Sequence, residues 1–199
     1  MVYDDQPGLT PARLDEALHA LEEQLGSGGS SFELIVIGGS ALLALGLTDR
    51  ATRDVDVVAL GQGQGFSSAE PLPEAIVTAA TRVARDFGLP LSWLNSGPAD
   101  LFRLGLPGGL DQRWVTKVIG PSLTIHFASR YDQIHFKLFA MVDQGSGRHE
   151  QDLRALDPSD DELIAAARWT MTHDPSPGFK AELLAVLRYL GVTDADFGA

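Results

Sequence analysis

The stretch ELIVIGGSALLALGLTDRATRDVDVVAL, residues 33–60, contains the clearest information about the fold. Two apolar runs, residues 32–37 and 55–60, have the length and the β-branched content of buried strands. The segment between them predicts a short helix. We therefore expect a strand, a helix and a second strand, with a Gly-Gly-Ser turn at 38–40 and an Asp-Val-Asp sequence at 54–56.

The rest of the chain extends this pattern to an α+β fold, with a mixed sheet flanked by helices. A helix is predicted after Thr10 and Pro11, and the Gly-rich segment GQGQGFSSAEPLP, residues 61–73, is predicted to be a flexible surface loop. Two later strands precede four helical segments. We expect an α/β core over residues 1–130 and a helical portion over residues 131–199, either as part of the same domain or as a second small domain.

Composition limits the class of protein. The 199 residues are 44% hydrophobic and include no cysteine, which excludes disulfides and thiolate metal sites. No apolar run reaches the length of a membrane span, and the acidic N-terminal sequence is unlike a signal peptide. We expect a cytoplasmic protein that does not enter the membrane.

The charge distribution bears on possible partners. The net charge of −12 argues against binding to a phosphate backbone. Residues 99–148, however, contain six basic and four acidic side chains. A basic surface on an otherwise acidic protein therefore remains compatible with the sequence.

The two aspartates at the start of the second strand are the first candidate site. Side chains alternate along a strand, so Asp54 and Asp56 are expected on one face and Val55 and Val57 on the other. Two carboxylates about 6–7 Å apart repel each other, and a hard divalent cation relieves that repulsion. The alternative is a strand end whose two aspartates simply face water.

The Gly-Gly-Ser turn strengthens the case for a ligand site. It lies between a buried strand and a helix, where backbone N–H groups at the helix start can hold phosphate oxygens. Gly38 and Gly39 allow close approach of the backbone, and Ser40 adds a hydroxyl donor. The alternative is a tight turn that needs glycine only for its φ angles. Together with the nearby aspartates, the turn predicts a phosphate site beside a metal site.

The segment IGGSALLALGLTDRATRDVDVV resembles the first signature of the nucleotidyltransferase superfamily related to DNA polymerase β. Its GGxAL and RxTxDxD elements, with Arg50, Thr52 and Arg53, are similar to the minimal nucleotidyltransferases of the AbiEii-type toxin and DUF6036-like branch. A second segment, HFKLFAMVDQGSGRHEQDLRAL, looks like the helix-borne lysine and the following Asp-Leu of that branch. The two segments together cover 44 residues.

The resemblance implies a role for each matching residue. Asp54 and Asp56 would bind Mg²⁺ or Mn²⁺, and Lys137 would contact the triphosphate of a nucleoside triphosphate (NTP). Asp152 would occupy the acidic position of the last motif and face the same cleft. The implied catalytic residues are Asp54, Asp56, Lys137 and Asp152. The implied nucleotide-binding residues are Gly38 and Gly39, which would act through their backbone N–H groups, together with Ser40, Arg53 and Lys137.

The family also implies a reaction and partners. We expect a Mg²⁺-dependent nucleotidyltransferase that moves a nucleoside monophosphate from an NTP to an acceptor hydroxyl. The acceptor would be a tRNA, as in toxin relatives with an antitoxin protein, or else a small molecule or a protein. Polymerase-like members carry a third carboxylate on a later strand, where this chain has His126. The alternative is therefore a catalytically degenerate nucleotide-binding protein that lacks the third acid.

Overall fold

The computed structural model describes residues 8–62 and 65–192, which divide into two compact units. Of these residues, the first unit contains 8–62, 65–103 and 114–128, and the second contains 104–113 and 129–192. Among the described residues, no helix combines the length and the apolar character needed to cross a membrane.

The first unit contains a mixed sheet flanked by helices. Its helices are α1 (Pro11–Ser27), α2 (Gly38–Ala44), α3 (Glu74–Phe87) and α4 (Ala99–Leu104). Its strands are β1 (Phe32–Ile37), β2 (Val55–Gln62), β3 (Gly65–Ser68), β4 (Leu94–Asn95), β5 (Val115–Gly120) and β6 (Leu123–Phe127).

Most strand pairs in this sheet are antiparallel. The order is β3-β2-β1-β6-β5, with β1–β6 parallel and β1–β2, β2–β3 and β5–β6 antiparallel. The two-residue strand β4 pairs in parallel with the start of β2, whereas β3 pairs with the end of β2. The predicted strands at 32–37 and 55–60 are therefore adjacent, with α2 connecting them.

One face of the sheet forms the main core with α1 and α3. Helix α1 begins after Thr10, whose hydroxyl accepts a hydrogen bond from the Arg13 backbone N–H at 3.4 Å. Its buried residues follow helical spacing and meet the inward side chains of the strands. They are Leu14, Ala17, Leu18, Leu21 and Leu25.

The prediction of a surface loop over residues 61–73 was wrong in its first half. Strand β2 continues to Gln62, and β3 pairs with it from Gln62↔Gly65 to Ala59↔Ser68. The segment has no alternation of apolar and polar residues, so its strand is set by pairing with β2 rather than by local propensity. Residues 63–64 of the predicted loop lie outside the described part of the chain.

The second unit is helical, as predicted for the C-terminal part. It contains α5 (Leu110–Arg113), α6 (Arg130–Gln144), α7 (Arg148–Ala155), α8 (Asp160–His173) and α9 (Pro177–Leu190). Serine hydroxyls cap three of these helices, at Ser129, Ser159 and Ser176. Helix α6 packs against α7, α8 and α9, so it is the centre of this unit.

The α+β class and the helical C-terminal part are thus as predicted. The finer assignment of the sheet to a nucleotidyltransferase fold stays a prediction.

Candidate functional site

The two aspartates lie where β2 begins. Asp54 immediately precedes the strand, and Asp56 is its second residue. Val55 and Val57 are fully buried in the main core, whereas both aspartates are partly exposed. Burial therefore alternates as the strand pattern predicts, and the carboxylates are turned away from the apolar core. They can meet water or a ligand without crossing that core.

The Gly-Gly-Ser turn lies against the second of these carboxylates. Ile37, the last residue of β1, is the register partner of Asp56, so Gly38 follows directly beside it. Gly38 has φ +76°, and a Cβ at this position would lie 2.5 Å from Asp56 Oδ2. A side chain here is therefore unfavourable both for the backbone and for the carboxylate. Gly38 and Asp56 are eighteen residues apart in the sequence, but they are neighbours in the structure.

Gly39 has a comparable contact with the loop that precedes β2. A Cβ at Gly39 would lie 2.7 Å from Thr52 Oγ1 and 4.0 Å from an Nη2 of Arg50. The Thr52 hydroxyl in turn donates to Asp54 Oδ1 at 3.3 Å. Thr52 is also fixed through its backbone, since its N–H donates to the Leu9 carbonyl at 3.0 Å. The threonine thus connects the glycine turn to the first aspartate.

Arg50 and Arg53 lie in the same loop, which precedes β2. Both are exposed. The Arg50 guanidinium adds positive charge next to the glycine turn, since its Nη2 lies 4.0 Å from the place of a Cβ at Gly39. An exposed arginine is well suited to phosphate oxygens. Arg53 was predicted to bind nucleotide, and this role stays a prediction.

Asn95 is a member of this location that the sequence did not indicate. It is the register partner of Asp56 on β4, and its Nδ2 donates to Asp56 Oδ1 at 3.2 Å. Strand β4 is anchored by Trp93, which is fully buried and donates from Nε1 to the Ala80 carbonyl at 2.9 Å. The Asn-Ser-Gly turn at residues 95–97 was the available sequence signal. A two-residue strand is too short for a periodic pattern.

We call this group the aspartate site. It comprises Gly38, Gly39, Thr52, Asp54, Asp56 and Asn95.

Ser40 is the third residue of α2 and is fully buried. Its Oγ has no hydrogen-bond partner among the described residues. A buried hydroxyl without a partner is unfavourable, and such groups are rare in native proteins. The predicted position of Ser40 at the start of the helix is correct. Its predicted contact with phosphate stays a prediction.

His126 does not lie beside the aspartates. It is on β6, separated from β2 by β1, and its register partner is Ile35. Its ring stacks on Trp114 with 4.3 Å between centroids, its Nδ1 lies 2.9 Å from Thr116 Oγ1, and its Nε2 lies 3.3 Å from Glu33 Oε2. On β6, the position of the expected third carboxylate is therefore occupied by an imidazole that has its own polar and aromatic partners.

The other two predicted catalytic residues, Lys137 and Asp152, lie in the second unit. Lys137 is on α6 and Asp152 on α7, and Lys137 Nζ lies 2.7 Å from Asp152 Oδ2. Their side chains are 7% and 2% exposed. We call them the lysine–aspartate pair. The sequence resemblance predicted that both residues face one cleft with Asp54 and Asp56. That placement and their role towards a nucleotide stay predictions.

The oxygen ligands of the aspartate site suit a hard cation whose remaining ligands are waters or substrate phosphates. Within residues 8–62 and 65–192, no group of three or more His, Asp or Glu side chains is placed to hold a metal ion. Two carboxylates alone fit Mg²⁺, which commonly binds through one or two carboxylates together with waters and substrate phosphates.

Comparisons with protein-family models, with curated proteins and with solved structures gave no match.

Proposed function

We propose that the chain is a Mg²⁺-dependent nucleotidyltransferase, which also accepts Mn²⁺ and moves a nucleoside monophosphate from an NTP to an acceptor hydroxyl. The observation that carries this proposal is the contact between the glycine turn and Asp56. A Cβ at Gly38 would lie only 2.5 Å from the carboxylate. A position for phosphate at the turn is therefore next to a position for a cation at the aspartates.

The residues of the aspartate site would divide the work as follows. Asp54 and Asp56 supply oxygen ligands, and their neighbours Thr52 and Asn95 hold one oxygen of each by hydrogen bonds. The backbone N–H groups of Gly38 and Gly39 would donate to the distal phosphates. Ser40 donates its hydroxyl when the substrate reaches the turn, which would satisfy a buried group that has no partner among the described residues.

The transfer itself is an in-line displacement. A bond forms between the acceptor oxygen and the α-phosphorus, and the bond from that phosphorus to the leaving pyrophosphate breaks. The proton of the acceptor hydroxyl passes to water. Bound Mg²⁺ would neutralise the triphosphate and stabilise the departing pyrophosphate.

A tRNA end is the acceptor that the sequence resemblance suggests, with an antitoxin as a separate protein partner. The net charge of −12 instead favours a cationic small molecule or a protein. The same catalytic residues would serve all three acceptors, because the aspartate site acts on the NTP.

A second function is favoured by Asn95. The residue beside Asp56 on the neighbouring strand is an amide rather than a carboxylate. A chain with only two acids can bind metal and NTP without activating an acceptor. It would then act as a nucleotide-binding protein.

Isothermal titration calorimetry with each of the four NTPs, with and without Mg²⁺, tests the shared part of both functions. We expect binding that requires Mg²⁺. Incubation with α-³²P-labelled NTPs and total tRNA, or with cationic small molecules, then separates transferase from binder by the appearance of labelled acceptor. The variant Asp54→Asn is the control for both assays. Absence of any Mg²⁺-dependent binding in the wild type would exclude both functions.

A further inference from the structure

Asn95 has two hydrogen bonds that together determine how its amide is oriented. Its Oδ1 accepts from the Gly97 backbone N–H at 2.8 Å, and its Nδ2 donates to Asp56 Oδ1 at 3.2 Å. A backbone N–H can only donate, so the amide oxygen must face Gly97. The nitrogen must then face Asp56.

The other oxygen of this carboxylate is also constrained. Asp56 Oδ2 lies against Gly38, where a Cβ would approach it to 2.5 Å. The amide and the glycine turn therefore contact different oxygens of one carboxylate. Together they restrict rotation of its plane, which a single contact would leave possible.

The strand that carries Asn95 is bonded to β2 and packed on the main core. The backbone N–H of Val55 donates to the Trp93 carbonyl at 2.5 Å, and the Trp93 ring is fully buried in the main core. Position 95 is therefore fixed relative to β2 by the sheet itself. A side chain on such a support can hold a metal ligand in one orientation.

From these contacts we infer that Asn95 is a positioning residue for Asp56, acting through a hydrogen bond to Oδ1 that keeps Oδ2 directed at the cation and phosphates beside Gly38. This inference rests on the proposed function, because it assigns Asn95 a role towards the ion that Asp56 would bind. It adds a residue to which no sequence motif assigns a role.

Two substitutions separate positioning from a purely structural role in the turn. Asn95→Ala removes both hydrogen bonds. Asn95→Asp keeps the acceptor for the Gly97 N–H, removes the donor to Asp56 and adds a like charge. Asn95→Asp tests whether the side chain at position 95 faces Asp56, and the metal affinity of Asn95→Ala then separates a positioning role from a structural one.

The first measurement is the melting temperature of the full chain without added metal. We expect Asn95→Asp to lower Tm by about 3–8 °C, because two carboxylates then face each other. The double variant Asp56→Asn/Asn95→Asp exchanges donor and acceptor. The amide introduced at position 56 can donate to the carboxylate introduced at position 95, so the double variant should recover most of the decrease in Tm.

The second measurement is the affinity for Mn²⁺, from the electron paramagnetic resonance signal of the unbound ion. We expect Asn95→Ala to weaken Mn²⁺ binding about tenfold, the lower end for a residue that orients a metal ligand. Asp174→Ala is the matched control, since Asp174 Oδ1 accepts from the Ser176 N–H at 2.8 Å in a similar turn. It should bind Mn²⁺ as the wild type does.

The outcomes distinguish the inference from the function on which it rests. Wild-type Mn²⁺ binding that Asn95→Ala leaves unchanged would overturn the positioning role and retain the proposed function. A wild type that binds neither Mn²⁺ nor NTP would overturn both. Destabilisation by Asn95→Asp with recovery in the double variant, but with unchanged Mn²⁺ affinity in Asn95→Ala, would make the contact structural and also overturn the inference.

Discussion

The aspartate site and the lysine–aspartate pair use carboxylates in opposite ways. Asp54 and Asp56 carry the same charge, flank Val55 at the start of β2 and are partly exposed. Lys137 and Asp152 carry opposite charges and are 7% and 2% exposed. The first arrangement keeps mutual repulsion that a bound cation would relieve. The second is compensated within the protein itself.

This contrast predicts which residues contribute to stability and which to binding. A buried ion pair becomes unfavourable when one partner is lost, because the remaining charge is desolvated without compensation. Two exposed like charges become less unfavourable when one is neutralised. Stability without ligand and binding of ligand should therefore respond in opposite ways in the two regions.

The largest effect is expected in the lysine–aspartate pair. Asp152→Asn leaves the Lys137 ammonium buried without its counter-charge and should lower the free energy of unfolding by about 3–5 kcal/mol. Urea denaturation followed by circular dichroism measures this change. The control is Glu150→Gln, in the same helix, which breaks the more exposed ion pair with Arg154. It should change the unfolding free energy little.

A further variant tests the explanation. Lys137→Met/Asp152→Leu replaces the pair by apolar side chains and should recover most of the loss, because no charge then remains buried. Equal stability of Asp152→Asn and the wild type would show that the pair contributes nothing to folding. If Lys137→Met/Asp152→Leu also abolishes Mg²⁺-dependent NTP binding, the nucleotide role predicted for Lys137 is supported.

A smaller effect is expected at Gly38. Gly38→Ala places an L-residue at φ +76° and a Cβ 2.5 Å from Asp56 Oδ2. Gly46→Ala is the matched control, since Gly46 has φ +66° with nothing within 4 Å of a Cβ. The control should lose about 1–2 kcal/mol of unfolding free energy for backbone strain alone.

Gly38→Ala should lose more than the control, and it should also lose Mg²⁺-dependent NTP binding. Thermal unfolding and calorimetry of both variants measure the two differences. Equal losses of stability with intact NTP binding in Gly38→Ala would show that the contact with Asp56 has no functional meaning.

The sequence was sufficient for the two central strands and insufficient for their neighbours. Residues 32–37 and 55–60 are long, apolar and bounded by turn residues, so local pattern and tertiary structure agree. Strand β3 has a Gly-rich sequence without alternation, and its pairing with β2 determines its conformation. Local propensity contains no information about such pairing.

The same distinction holds within the aspartate site. Asp54, Asp56 and the glycine turn could be predicted because they lie in one continuous segment. Asn95 could not, since it reaches Asp56 through the parallel pairing of a two-residue strand. The partner of Lys137 was also not derivable from spacing alone, because it requires the packing of α7 on α6.

An intermediate effect, on binding rather than stability, is expected for the two aspartates. Asp54→Asn and Asp56→Asn each keep the shape of the side chain and remove one negative charge. Stability without ligand should be unchanged or higher. Mg²⁺-dependent NTP binding should weaken at least about tenfold, or about 1.4 kcal/mol, and transfer to any acceptor should stop.

Melting curves and calorimetry on the same preparations make this comparison. Strong destabilisation of both asparagine variants, with no response of the wild type to Mg²⁺ and NTP, would contradict the metal site. The aspartates would then be structural, and their bonds with Thr52 and Asn95 would be their function.

The smallest effect is expected at Ser40, where stability and binding should again separate. Ser40→Ala removes a buried hydroxyl that has no hydrogen-bond partner among the described residues, so stability without ligand should not fall. NTP binding should weaken by about 0.5–1.5 kcal/mol, since one neutral hydrogen bond to phosphate is lost.

The matched control is Thr170→Val in the second unit, because Thr170 Oγ1 is also buried and unpartnered among the described residues. Both variants should melt at or slightly above the wild-type temperature, and only Ser40→Ala should change the calorimetric affinity for NTP. An equal affinity in all three proteins would mean that the Ser40 hydroxyl does not reach the phosphates, and the backbone of the glycine turn would be left as the phosphate contact.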